Sequence, residues 1–323
     1  MTAETGLDVA QLVFEAHERC ADYLSPTPVE YSPFLSKQID GEVWLKLDLM
    51  QRTTSFKFRG ALNKILSLSE EELDKGVVTA STGNYALAVA EAMRIRNRSA
   101  KIYVAEDIEP SRLDMLRAFV LDIVVHGTGA WDAEKEARRV AEEENKIYVS
   151  PYNDPFVVGG QGTCGYEIFQ QLPDIDAAFF ACGAGGLVSG SGGWLKSQNP
   201  SITVVGVSPE NSRVMYESVR AKEIIEMEHY PTLADTCAGD VDSDSITLEL
   251  CLRYVDEILV LTEEEIEASI RLLFEQHRLV AEGSAALAVG GLLERKERFK
   301  GKKVVATVCG RNINLEVFKR IIG

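Results

Sequence analysis

The chain has 323 residues, 46% hydrophobic and 26% charged, a balance ordinary for a globular protein and a length sufficient for two lobes with cores. Asp plus Glu number 50 against 34 Lys plus Arg, a formal charge of −16. A surface of that sign repels nucleic acid and anionic lipid, so neither is an expected partner. Met1-Thr2-Ala3-Glu4-Thr5 shows no basic region leading into an apolar run, so no secretory leader is expected and a cytoplasmic location is. Cys20, Cys164, Cys182, Cys237, Cys251 and Cys309 are scattered without CxxC pairs, which predicts reduced thiols and no metal site.

Along the chain, short β-branched runs alternate with amphipathic stretches. A strand over 77–80 precedes a helix over 86–95, a strand over 101–104 a helix over 111–120, and a strand over 123–126 a helix over 130–144. Gly159-Gly160-Gln161-Gly162-Thr163 is expected to open a further helix and offers a glycine-lined wall. The uncharged run 177–195 is long enough for a membrane span. Its six glycines and two serines read instead as strand 177–181, loop and helix. Strands over 203–207, 258–261 and 304–308 follow, with a helix over 263–280 opened by the capping box Thr262/Glu265. The last strand lies close to Gly323, so an appended regulatory domain is not expected.

Strands separated by helix-length segments imply βαβ units, hence an α/β fold with parallel sheets covered on both faces. Residues 77–148 form a compact block, a predicted small domain. Residues 1–76 plus 149–323 would then build a large domain from both ends of the chain, with the site between the two.

In such folds ligands gather at the carboxyl ends of strands. After 77–80 come Ser81-Thr82-Gly83-Asn84-Tyr85, which either cap the next helix or leave its N–H groups free for a carboxylate. After 177–181 come Gly183-Ala184-Gly185-Gly186-Leu187. These glycines serve close helix–sheet packing or converge N–H groups on a phosphate. No GK[ST] follows, and Val188 breaks the dinucleotide fingerprint. After 304–308, Cys309 is a small buried hydrophobe or a partner for a ring nitrogen, and Arg311 a solvated residue or an anion contact. Upstream, Lys57 is wedged between Phe56 and Phe58. Apolar burial lowers a lysine pKa toward the nucleophilic amine that Schiff-base chemistry needs. A carbonyl-binding amine and a phosphate loop together point to one cofactor carrying both groups, pyridoxal 5'-phosphate.

Taken in this order, the motifs resemble the fold-type II pyridoxal-phosphate enzymes, specifically the serine/threonine dehydratase and serine racemase group. The resemblance runs from Thr27-Pro28 to Asn312, and its most specific part is Ser55-Phe56-Lys57-Phe58-Arg59-Gly60-Ala61. It implies two open, twisted, mainly parallel sheets with helices on both faces, tryptophan synthase β-like, in a homodimer. It implies that Lys57 carries the cofactor and acts as base, with Phe56 against the ring. Asn84 would bond the 3-hydroxyl, Gly183 through Leu187 the phosphate, and Cys309 the pyridine nitrogen. Ser81, Thr82, Gly83 and Asn84 would cradle an amino acid's carboxylate. Leu233-Ala234-Asp235 and Glu282-Gly283-Ser284-Ala285-Ala286 echo later motifs of the group.

Five departures matter. Ala184 replaces a glycine, acceptable if its φ stays negative. Thr82 stands where racemases use a serine on the far face of Cα. Ser208 stands where a divalent-metal glutamate is usual. Tyr85 and Arg311 are also unusual and would shape the substrate pocket. The expected activity is β-elimination from a β-hydroxy amino acid such as L-threonine or L-serine to a 2-oxo acid and ammonia. The alternatives are a serine- or aspartate-type racemase, or a dehydratase for 3-hydroxyaspartate or phenylserine.

Overall fold

The computed structural model describes residues 6–106, 108–119 and 122–323. Met1 to Thr5, on which the leader argument rests, and Val120, the expected end of the 111–120 helix, lie outside the described residues.

Ten strands are present among the described residues: β1 (Val29–Tyr31), β2 (Glu42–Lys46), β3 (Val77–Ala80), β4 (Ala100–Val104), β5 (Asp122–Val125), β6 (Ile147–Tyr148), β7 (Ala177–Ala181), β8 (Thr203–Pro209), β9 (Glu257–Leu261) and β10 (Lys303–Thr307). They form a six-stranded sheet in the order β1-β2-β10-β7-β8-β9 and a four-stranded sheet in the order β5-β4-β3-β6. Among the described strands, only β1 and β2 pair antiparallel. The all-apolar β7 is buried at every residue, because helices cover both faces of the central strands. Seven strands lie where the hydrophobic runs predicted them, within two residues at each end. β1, β2 and β6 have no such run: β2 reads Glu-Val-Trp-Leu-Lys, and β1 and β6 have three and two residues.

The helices correct the expectations at their ends. The helix after β3 is Asn84–Ile95, two residues earlier than predicted, with Gly83 at its N-cap and no side-chain cap. The capping box of Thr262 and Glu265 is present, but its helix is Glu263–His277, stopped by Arg278 at φ 58°. A helix, Leu315–Ile322, follows β10. The 159–163 glycines do not open a helix. They lie inside Pro155–Gln171, whose N-cap is Asp154. Their use is close helix packing: a Cβ on Gly162 would come within 2.8 Å of Gly190 O, in helix Gly186–Gln198.

The helix Lys57–Ser67 starts at the junction of the two sheets. Its Phe58, Ala61, Leu62 and Ile65 share a core with Tyr85, Val89, Met93 and Ile102 beside the four-stranded sheet. Its first turn is tied to the other sheet by charge. Arg59 is fully buried and donates to Asp48 from Nε at 2.8 Å and Nη2 at 2.7 Å. It also donates to Glu167 from Nη1 at 2.6 Å and Nη2 at 2.8 Å. Lys46 Nζ, also fully buried, reaches Glu167 Oε2 at 2.6 Å and Thr27 O at 2.8 Å. Two cations therefore balance two carboxylates, and their bidentate geometry fixes the start of the lysine-bearing helix.

Candidate active site

The lysine segment is zipped to the chain's far end. Phe56 N–H donates to Cys309 O at 2.9 Å, Ser55 bridges Gly310, and Arg311 N–H donates to Thr54 O at 3.2 Å. This brings residues separated by some 250 positions into one wall. Lys57 Nζ lies 5.2 Å from the Phe56 ring centroid, 5.7 Å from that of Tyr85, and 3.4 Å from Pro151 O. No ion-pair partner for it is present among the described residues. Burial lowers its pKa from the ordinary lysine value, opposed by the nearby Cys237, Cys309 and Glu282.

Two adjoining cavities meet at Lys57. The inner one, about 40 Å³, is bounded by Phe56, Gln161, Cys309 and the loop Gly183 to Leu187. The outer one, about 670 Å³, is bounded by Ser81, Thr82, Gly83, Asn84 and Tyr85, and farther out by Arg112, Trp131 and Asp235. Lys57, Pro151, Tyr152, Ala184, Thr236 and Cys237 line both. A groove of about 720 Å³ beside the helix Glu263–His277 lies away from these residues and holds none of them.

The glycine loop is shaped for close approach. Gly185 has φ +86° at the N-cap of Gly186–Gln198, and no side chain caps that helix. A Cβ on Gly183 would lie 2.9 Å from the backbone of Cys237. Ala184 is absent from the positive-φ residues, so the departure from glycine is tolerated as its conformation required. Leu187 is buried. Ser208 donates to Cys182 O at 2.6 Å, which holds the residue just before the loop.

On the opposite side, the uncapped start of Asn84–Ile95 leaves its first N–H groups toward the cavity, with Gly83 N–H bonded to Ser81 Oγ at 3.3 Å. Plain side-chain capping of this helix is thus ruled out. Asn84 is buried and fixed at both ends: Nδ2 donates to Glu282 Oε1 at 2.8 Å, and Oδ1 accepts from Asn312 Nδ2. Glu282 also accepts from Asn312 N–H at 2.9 Å and Thr236 Oγ1 at 3.2 Å. Burial raises its pKa above the ordinary carboxylate value, while those donors pull it back. Tyr85 spends its hydroxyl on Ser150 O at 2.7 Å, so it contributes a ring face beneath Lys57 rather than a free hydroxyl. Burial holds the Cys309 thiol well above its ordinary pKa, so it is neutral.

One expected contact is not brought in. Arg311 is exposed and lines neither cavity, since the bridge to Thr54 and Ser55 turns its side chain outward. Gln161, Thr236 and Tyr152 were not singled out by sequence as site residues. Glu282 was visible only as part of an echoed motif; a buried carboxylate carries no periodic signal.

The fit to a phosphate-bearing aldehyde can be judged from the chain itself. A desolvated amine without a counter-ion suits a carbonyl, and a loop in which Gly183 and Gly185 have no room for a Cβ, against the Cys237 backbone and Cys251 Sγ, suits a phosphate held by N–H groups. Parallel α/β sheets with these two features at their junction define a class of enzymes built to hold such a cofactor. Residues 21–310 match the model of the family described as pyridoxal-phosphate dependent enzyme. The chain belongs to that family. It is 40% identical over 308 residues to the L-threonine ammonia-lyase of Thermotoga maritima, covering 95% of this chain and 76% of that one. It is 36% identical over 314 residues to the catabolic L-threonine dehydratase TdcB of Escherichia coli K12, covering 96% and 95%. Maize serine racemase superposes with a TM-score of 0.91 at 28% identity, over 96% of this chain and 95% of the other.

Proposed function

We propose that this site dehydrates and deaminates a small, neutral β-hydroxy amino acid, L-threonine or L-serine, to a 2-oxo acid and ammonia. The observation that carries the reading is Lys57, a desolvated amine without a counter-ion between a glycine loop and an uncapped helix start. The similarity to proteins named for threonine ammonia-lyase and dehydratase activity supports it. Bound pyridoxal phosphate supplies an electron sink for the charge left when Cα loses its proton.

The chain's own residues do the rest. Lys57 would hold the cofactor through Nζ with Phe56 beside it, and the N–H groups of Gly183, Ala184, Gly185, Gly186 and Leu187 would take its phosphate. Asn84, oriented by Glu282 and Asn312, would bond the 3-hydroxyl. Ser81, Thr82, Gly83 and Asn84 hold the substrate carboxylate with helix-start N–H groups. Once its Nζ is free, Lys57 would take the Cα proton as general base, and its depressed pKa favours the neutral form that can accept it. Cys309 would offer a neutral thiol to the ring nitrogen, which would favour loss of the β-hydroxyl over return of a proton to Cα.

The outer cavity argues against a second carboxylate on the substrate. Its one arginine among the described residues, Arg112, is already paired with Asp235, and Glu109, Glu134 and Asp240 also line it, Glu134 paired with Arg138 and Asp240 with His229. 3-Hydroxyaspartate is therefore disfavoured. A racemase is the second reading, favoured by the likeness to maize serine racemase. Thr82 opposes it by placing a bulkier hydroxyl where a serine would act. Residues 77–148 and 1–76 plus 149–323 are the two lobes of this reading, in a cytoplasmic homodimer.

Ammonia and 2-oxo acid release over a panel of β-hydroxy amino acids, each as separate stereoisomers, tests the proposal. L-threonine and L-serine should react best and 3-hydroxyaspartate poorly. Inversion of L-serine without ammonia release would overturn it.

A further inference from the structure

Gln161 lies in the middle of the helix Pro155–Gln171 and is 1% exposed. Its two amide atoms are treated differently. Oε1 accepts from Gly60 N–H at 3.3 Å, whereas Nε2 is buried without a hydrogen-bond partner among the described residues. Because Gly60 N–H can only donate, the oxygen must face it and the NH₂ must face away. A buried donor left unpaired is costly and rare in native proteins.

The side chain has a reserved place. A Cβ on Gly60, three residues after Lys57, would lie 2.5 Å from Nε2 and 2.7 Å from Cδ of Gln161. Glycine at that position in the lysine motif therefore makes room for this amide. Gln161 lines the inner cavity with the Gly183–Leu187 loop and is not part of the outer cavity with Ser81 and Asn84. The unpaired donor thus opens on the inner cavity, which the glycine loop shares with Phe56, Lys57 and Cys309.

We propose that Gln161 Nε2 donates a hydrogen bond to the cofactor's phosphate, adding a side-chain donor to the backbone donors of the glycine loop. It is a neutral donor to an anionic acceptor, the stronger kind of hydrogen bond. The inference rests on the pyridoxal phosphate reading of the site.

The test uses apoenzyme and two ligands, pyridoxal 5'-phosphate and pyridoxal, whose affinities are measured by absorbance titration for wild type, Gln161→Met and Gln161→Glu. The Glu variant keeps an acceptor for Gly60 N–H, so it guards against a change that merely disturbs the fold. The expected result is a loss of about 10- to 100-fold in affinity for pyridoxal 5'-phosphate in the Met variant and more in the Glu variant. Affinity for pyridoxal, which has no phosphate, should stay within about twofold. Equal losses for both ligands, or no loss for either, would overturn the assignment of Gln161 while leaving the cofactor reading intact. A wild-type apoenzyme that binds neither ligand would overturn both.

Discussion

Replacing Arg59 by methionine tests how the lysine-bearing helix is held. The substitution keeps an unbranched chain in place but removes a guanidinium that makes four short bonds to Asp48 and Glu167. Lys46 would be left as the sole cation for two carboxylates with side chains 0% and 9% exposed. Breaking a buried pair in this way costs about 3–5 kcal/mol, a large part of the roughly 5–15 kcal/mol typical of a folded domain. The same change at the half-exposed Arg139, paired with Glu136 and Glu143, should cost far less, because solvent screens that pair.

The loss should also depend on pH. In the native cluster Arg59 pulls the pKa values of Asp48 and Glu167 down, against burial. Their contribution is present above the unfolded values near 4 and fades as pH falls through the folded ones. Without Arg59, burial dominates and at least one carboxyl should be raised above its unfolded value. That carboxyl takes up a proton on folding, so the variant recovers stability as pH falls. Urea unfolding at pH 8 and pH 5 should show the gap between the two proteins narrowing at the lower pH. A loss below about 1 kcal/mol, or one equal at both pH values, would refute this account of the cluster.

Other consequences are simpler to read. Gly185→Ala places a Cβ at φ +86° and 2.7 Å from Cys251 Sγ, so cofactor affinity should fall at least about tenfold in an absorbance titration. Thr262→Ala removes the cap of Glu263–His277, which accepts from Glu265 N–H, and should lower stability by about 1 kcal/mol by denaturation. The rate at which apoenzyme captures pyridoxal phosphate covalently should rise with pH about a midpoint below the ordinary lysine value, because burial depresses Lys57; stopped-flow absorbance reads it. Lys57→Ala should abolish ammonia release while leaving far-ultraviolet circular dichroism unchanged.

What was legible in the sequence follows from what produces a local signal. The strands of the parallel sheets are continuous apolar runs because both faces are covered, and β7 is the clearest case. The loops after β3, β7 and β10 were found because ligands in such folds gather at strand ends. β2 escaped because its final residue, Lys46, is a buried cation whose partner Glu167 lies 121 residues away. Gln161 and Glu282 escaped for the same reason: a polar side chain buried by contacts distant in sequence looks like any surface residue. Arg311 misled because proximity to Cys309 in sequence does not fix direction. The bridge to Thr54 turns it to solvent.

Peptide mapping after borohydride reduction of the protein with pyridoxal phosphate bears most directly on the central claim. The account predicts one reduced pyridoxyl phosphate group per chain, on the peptide containing Lys57, with ammonia release lost in proportion to labelling. A label on a different lysine, or full labelling of Lys57 with activity retained, would contradict it.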